Sequence, residues 1–226
     1  KMLVDSLKLG SGKELSEAEK MQRERLRIGD LRGIVTYEWA ADSKAILVPL
    51  DGDLYLAQLD GSVQRLSDTS EDELNPALSP KGAYVSFVRG RRLWTGKVGD
   101  VATAVTPEET SETVSWGEAE FVAQEEMDRQ TGYWWAPDDS RLAWARVDES
   151  PVAQTQRFEI NANDVKVVAQ RYPYAGTPNA RVQLFTAAVT TPQQSVQIDL
   201  GSNTDIYLAR VQFLPDGKRL AVQRQS

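Results

Sequence analysis

A chain of 226 residues, 41% hydrophobic and 26% charged, is long and apolar enough to bury a core and lies outside the range of disordered polypeptides. Its formal charge of −7 and the lack of any Lys/Arg-rich stripe argue against nucleic acid as a partner. With neither cysteine nor histidine, these residues alone can build no disulfide, thiol nucleophile, Cys- or His-ligated metal site, or Ser-His-Asp triad. No apolar run approaches the roughly 18 to 20 residues of a membrane span, and the opening Lys-Met-Leu-Val-Asp has no hydrophobic signal-peptide stretch.

The first predicted element in chain order is a helix over residues 14–28, ELSEAEKMQRERLRI. Ser16 is its N-cap, Glu19 stands three residues on as in a capping box, and Gly29 sits at the stop. Arg23, Arg25 and Arg27 alternate with Glu24 and neighbour Glu17 and Glu19, a mixed-charge helix face. Just before it, Gly10-Ser11-Gly12-Lys13 departs from a phosphate loop at both ends. Leu7 falls where the first Gly belongs and Glu14 where Ser or Thr belongs, so the segment reads as linker.

From Gly33 onward the chain reads as short apolar strands, VTYEW, AILVPL, LYLAQL and VQRL, parted by turns. Asp51-Gly52-Asp53 is a turn, and Asp60-Gly61 predicts a two-residue type I′ hairpin. DTSEDE at 68–73 lacks the spacing and central Gly of a calcium loop and reads as solvated. One unit recurs at Trp39, Leu78, Trp135 and Phe213: an aromatic residue or Leu, a Pro-Asp-Gly-like turn, then an apolar run. The intervals of 39, 57 and 78 residues are irregular, as if later units carry insertions. The first matches the roughly 40 to 50 residues of a four-stranded propeller blade. The expected fold is therefore all-β, a partial β-propeller of about four blades cut off near Ser226, although strand spacing alone leaves a β-sandwich open.

The acidic pair Glu125-Glu126 needs its surroundings to acquire meaning. Adjacent carboxylates are usually inert surface, and in a strand they would point to opposite faces. Residues 118–131, however, are helix-compatible and free of Pro, with Gly132 as a stop, which predicts a short helical insert. On a helix the two side chains stand about 100° apart and can lean over one rim. They then suit an ammonium group, which brings one charge and three donors.

Three segments in order, WGEAEFVAQEEM from Trp116, GYWWAPDDSRLAWARVDES from Gly132 and RYPYAGTPNARV from Arg171, resemble the N-terminal β-propeller of the dipeptidyl peptidase IV family, within the prolyl oligopeptidase group. The resemblance covers about residues 31–226, with residues 1–30 as an N-terminal lead-in. It implies an eight-bladed propeller capping an α/β-hydrolase domain that lies outside this stretch, so no catalytic residue is expected here, and no cofactor or metal. By that motif Glu125 and Glu126 hold the substrate's free N-terminus. The implied parent is a homodimeric serine peptidase, periplasmic or secreted, that releases Xaa-Pro or Xaa-Ala dipeptides. The arginine that assists the pair in mammalian members has no match near residues 51–59. The alternatives are a stand-alone propeller that binds proteins or peptides, with the glutamates as inert surface, and a related propeller-hydrolase that cleaves acylated or longer peptides.

Overall fold

The computed structural model describes residues 2–29, 31–160 and 162–226. Strands β1 (Glu38–Trp39), β2 (Ala45–Leu50), β3 (Asp53–Gln58) and β4 (Val63–Arg65) form one four-stranded antiparallel sheet in chain order. A second sheet repeats the pattern with β5 (Leu74–Leu78), β6 (Tyr84–Arg89), β7 (Arg92–Lys97) and β8 (Thr103–Ala104). The third contains β9 (Val114–Trp116), β10 (Tyr133–Trp135), β11 (Arg141–Asp148), β14 (Arg181–Ala188) and β15 (Val196–Ile198). Between β11 and β14, β12 (Gln154–Ile160) and β13 (Val165–Arg171) leave as a separate hairpin arm, and β16 (Tyr207–Phe213) with β17 (Leu220–Gln225) begins a fourth sheet. Among the described residues this is a partial propeller with no closed ring, three four- or five-stranded blades followed by a two-stranded sheet.

Cohesion lies between the sheets. Leu47, Leu54 and Leu56 cluster with Leu78, Val85 and Phe87 of the second sheet. Leu142 and Trp144 on β11 join Val88 and Leu93 of the second sheet, whereas the alternate residues Ala143, Ala145 and Val147 join Leu208, Val211 and Phe213 of the fourth. Because a strand turns successive side chains to opposite faces, a sheet covered on both sides needs apolar residues at consecutive positions, as β11 has. Burying one such leucine contributes about 1.5–3 kcal/mol.

All four sequence repeats fall on the turn between two paired antiparallel strands, β1–β2, β5–β6, β10–β11 and β16–β17. The N–H groups of Ala40, Ser79, Ala136 and Leu214 donate to the carbonyls of Ala45, Tyr84, Arg141 and Arg219 at 2.8–2.9 Å. The third turn residue, Ser43, Gly82, Asp139 or Gly217, is left-handed with φ between 58 and 72°. The second residue explains the aspartate of the motif: Asp42, Asp138 and Asp216 accept the N–H two positions on, from Lys44, Ser140 and Lys218. The insertions expected from the unequal intervals are β9 with a helix, α3 (Phe121–Glu126), in one case and the β12–β13 arm in the other.

Several local expectations are corrected. The N-terminal segment holds α1 (Ser6–Leu9) and α2 (Glu17–Arg25), so the helix expected over 14–28 is confined to nine residues. Ser16 does cap Glu19 N–H at 3.2 Å. The reciprocal arm of the capping box is absent, because the Glu19 carboxylate is taken by Arg23 at 2.6 Å and Ser16 N–H donates instead to Asp72. The helix ends before Gly29 because Arg27 is left-handed, φ 60°. Asp60-Gly61 is not a two-residue turn: Gln58 N–H pairs with Ser62 O, so residues 59–61 form a three-residue loop with Gly61 at φ 103°. The two-residue I′ hairpin is Asp51-Gly52, φ 52° and 85°, since Leu50 pairs with Asp53.

Nor is the 68–73 segment a solvated loop throughout. Glu73 is 3% exposed and accepts from Ser67 and Thr69 hydroxyls, with Arg89 beside it at 3.4 Å. The 10–13 linker docks there, Lys13 Nζ donating to Asp72 at 3.2 Å and to Ser70 O at 3.0 Å.

Candidate functional site

The acidic pair stands on α3, which interrupts the path from β9 to β10. Its six residues are too few to hold a helix alone, since isolated helices need roughly 12–15. Tertiary anchors supply the rest. The stems close first: Ala119 N–H donates to Gln130 O at 3.1 Å and Gly132 N–H to Gly117 O at 2.9 Å. A Cβ on Gly132 would stand 2.1 Å from Glu118 O, so this glycine, expected as a helix stop, serves the close approach of the two stems. The helix itself ends at Glu126, and Asp128, φ 50°, reverses the chain.

Glu120 caps the N-terminus, its carboxylate accepting Val122 N–H at 2.6 Å and Ala123 N–H at 3.0 Å. It is 4% exposed, and burial raises its pKa against the pull of those two N–H groups. Glu118 and Glu149, at the foot of the insert, are also raised by burial, with Arg25 and Arg91 opposing the shift in both. Ala123 buries the inward face of α3, Arg25 donates to the Gln124 side chain, and Arg210 of β16 donates to Met127 O at 2.8 Å.

On this support Glu125 and Glu126 take consecutive helical positions, so their side chains diverge by about 100° rather than 180°. Glu125 is half-buried and lines a pocket of about 140 Å³ with Met21, Arg25, Arg27, Phe121 and Tyr172. Arg27 Nη2 lies 3.4 Å from its Oε2. Glu126 is exposed and outside that pocket, with no ion pair among the described residues. The structure thus brings the pair onto one helix but gives its members different surroundings, one against a cation and one open to solvent.

Sequence reading missed Arg27 as a neighbour of the pair because 98 residues separate it from Glu125. Only the alternation of Arg and Glu in RERLR hinted that this segment meets charge elsewhere. The motif Gly132-Tyr-Trp-Trp-Ala-Pro proves to be packing between sheets. Trp135 Nε1 donates to Ser86 Oγ at 2.9 Å, its ring stacks on Tyr84, and Trp134 packs toward the fourth sheet. Two adjacent carboxylates supply charge and acceptors for a cation. The side chains around them offer no imidazole or thiol for bond cleavage.

Residues 21–226 match the family described as "Dipeptidyl peptidase IV (DPP IV) N-terminal region". Human dipeptidyl peptidase 8 is 27% identical over 248 residues, covering 90% of this chain and 27% of that protein. Dipeptidyl aminopeptidase A of Saccharomyces cerevisiae is 27% identical over 47% of this chain and 12% of its own length. The crystal structure of Porphyromonas gingivalis dipeptidyl peptidase 4 superposes with a TM-score of 0.73 at 26% identity, covering 89% of this chain and 30% of that one. The chain spans less than a third of the length of each.

Proposed function

Because the chain belongs to the family of dipeptidyl peptidase IV N-terminal regions, we propose that it forms the substrate-admitting part of a serine dipeptidyl peptidase and anchors the free N-terminus of the peptide. The nucleophile resides in a hydrolase domain of the same polypeptide, and the parent releases Xaa-Pro or Xaa-Ala dipeptides. On this reading residues 31–226 are the incomplete propeller, residues 1–30 its lead-in, and the parent a homodimer outside the cytoplasm. The observation that carries the proposal is the placement of Glu125 and Glu126 side by side on a short helix held in place by buried anchors.

An α-amino group of pKa about 7.7–8.0 is mostly protonated at neutral pH, and two carboxylates both neutralise it and accept its N–H donors. Two residues of extended chain span about 7 Å. An anchored amine therefore sets the second peptide bond at a fixed distance from α3, and binding energy at one end becomes orientation at the other. A blocked or lengthened N-terminus loses that registration.

The test is Glu125→Ala and Glu126→Ala in the parent enzyme, assayed on a free-amine Gly-Pro substrate alongside labelling of the active-site serine. Loss of a charge-assisted contact of about 1.5–3 kcal/mol lowers kcat/KM by about 10- to 150-fold while labelling persists. Unchanged kcat/KM in both variants refutes the assignment and favours a propeller that binds proteins or peptides without reading the amine.

A further inference from the structure

One of the buried anchors that hold α3 comes from a residue with no part in binding the amine. After Asp128 reverses the chain, Arg129 N–H returns to Ala123 O at 3.1 Å and its side chain turns inward, 8% exposed. Nη1 donates to Thr131 O at 3.0 Å, in the stem of the insert, and Nη2 to Leu208 O at 2.7 Å, on β16 of the next sheet. The guanidinium lies 5.7 Å from the Trp134 ring centroid. Among the described residues no carboxylate pairs with it within 4.0 Å, and its Nε is buried without a partner. Burial pushes its pKa down to about 10, opposed by Glu120, which leaves it a cation at neutral pH.

A buried guanidinium that meets only carbonyls, with one N–H unsatisfied, stabilises a fold less than a well-packed apolar side chain of similar volume. Stability therefore does not account for arginine here. Geometry does: a rigid, planar fork that grips the insert with one nitrogen and the neighbouring sheet with the other admits a single orientation. It lies three residues beyond Glu126. Resting on the reading of the pair as an amine anchor, we infer that Arg129 is a positioning residue that fixes the height of Glu125 and Glu126 over the fourth sheet. It sets the distance from the substrate amine to the bond that is cut without touching substrate itself.

The test is a cycle in the parent enzyme. Arg129→Met and Arg129→Lys are each made alone and together with the Glu125→Gln/Glu126→Gln pair, and kcat and KM are measured on a free-amine Gly-Pro substrate. With the pair intact, Arg129→Met lowers kcat/KM by about 10- to 100-fold, mainly in kcat, since a misplacement of order 1 Å costs up to about 100-fold. Arg129→Lys, which keeps the charge but reaches one carbonyl at a time, loses less. With both glutamates already replaced, the same substitutions change kcat/KM by less than about threefold, because the residue acts only through the pair. Equal losses in both backgrounds, or no loss in either, overturn the inference. Should Arg129→Met not fold, Arg129→Lys decides it through the same cycle. If the Glu→Gln pair alone leaves kcat/KM unchanged, the amine-anchor reading itself fails, an outcome distinct from failure at Arg129.

Discussion

Asp139 occupies the left-handed turn position that glycine fills in two of the four repeats, so Asp139→Gly restores the commoner residue and relieves a φ of 63°. For an L-residue that conformation costs about 1 kcal/mol. The Asp139 carboxylate, though, reaches into the preceding sheet, where it accepts Ser79 Oγ at 2.6 Å and Lys81 N–H at 2.9 Å, and the residue is only 6% exposed. In that preceding turn Lys81 replaces the usual aspartate, so the acceptor that the Ala83 N–H two positions on lacks locally is supplied by the neighbouring sheet, from Asp139 Oδ2 at 3.4 Å. Two hydrogen bonds to a charged group are worth about 1.5–3 kcal/mol each, against about 1 kcal/mol of relief. Asp139→Gly should therefore destabilise the chain by about 2–5 kcal/mol, a fall in Tm of about 4–20 °C at this chain length. Ser43→Gly makes the same backbone change at an exposed turn without such a contact, and should be neutral or stabilising by up to about 1 kcal/mol. Urea unfolding followed by tryptophan fluorescence measures both. An Asp139→Gly protein as stable as the wild type would refute the claim that this carboxylate ties adjacent sheets together.

Other consequences can be checked on the same chain. Gly132→Ala drives a methyl group into Glu118 O, so it should destabilise by about 1–3 kcal/mol and expose the α3 insert to protease first. Glu120 has a folded pKa raised by burial above the ordinary 4.5. The folded state thus holds its proton longer than the unfolded state, and the stability it contributes is complete below about pH 4.5 and lost as pH rises through the folded value. Relative to wild type, Glu120→Gln should gain stability between pH 4.5 and pH 7 in urea titrations, and a pH-independent difference would contradict this. The ion pairs joining α2 to the β12–β13 arm, Glu24–Arg157 at 3.1 Å and Glu17–Lys166 at 3.3 Å, lie at the surface, with Arg157 part-buried and paired also with Glu159 at 2.8 Å. Arg157→Ala should accordingly cost no more than about 1 kcal/mol, measured by thermal unfolding.

What the sequence made legible was local. The four Pro-Asp-Gly-like turns announce themselves through a third position that must go left-handed and, in three of them, an aspartate that accepts a backbone N–H two residues on, and both are properties of four adjacent residues. The helical insert was legible for the same reason, since no Pro interrupts residues 118–131. Its length was not. α3 stops at six residues because Asp128 turns the chain so that Arg129 can reach Leu208, a contact across 79 positions. The Asp60-Gly61 expectation failed in a related way: Asp-Gly fits either a two-residue turn or the end of a three-residue loop, and strand register, not the dipeptide, decides between them. Asp72 and Glu73 looked solvated because their partners, Lys13 and Arg89, come from other segments. Glu125 and Glu126 were legible as a pair, while Arg27 beside Glu125 was visible only once α2 was placed.

The measurement that bears most directly on the amine-anchor claim is the ratio of kcat/KM for a free-amine Gly-Pro substrate to that for its N-acetyl counterpart, in the parent enzyme and in its Glu125→Gln/Glu126→Gln variant. Acetylation removes the charge that the pair would hold. If the pair holds the amine, the substitutions lower the free-amine rate by at least about 10-fold, leave the acetylated rate nearly unchanged, and so collapse the ratio. A ratio that stays the same in the variant would show that Glu125 and Glu126 do not read the substrate's amine.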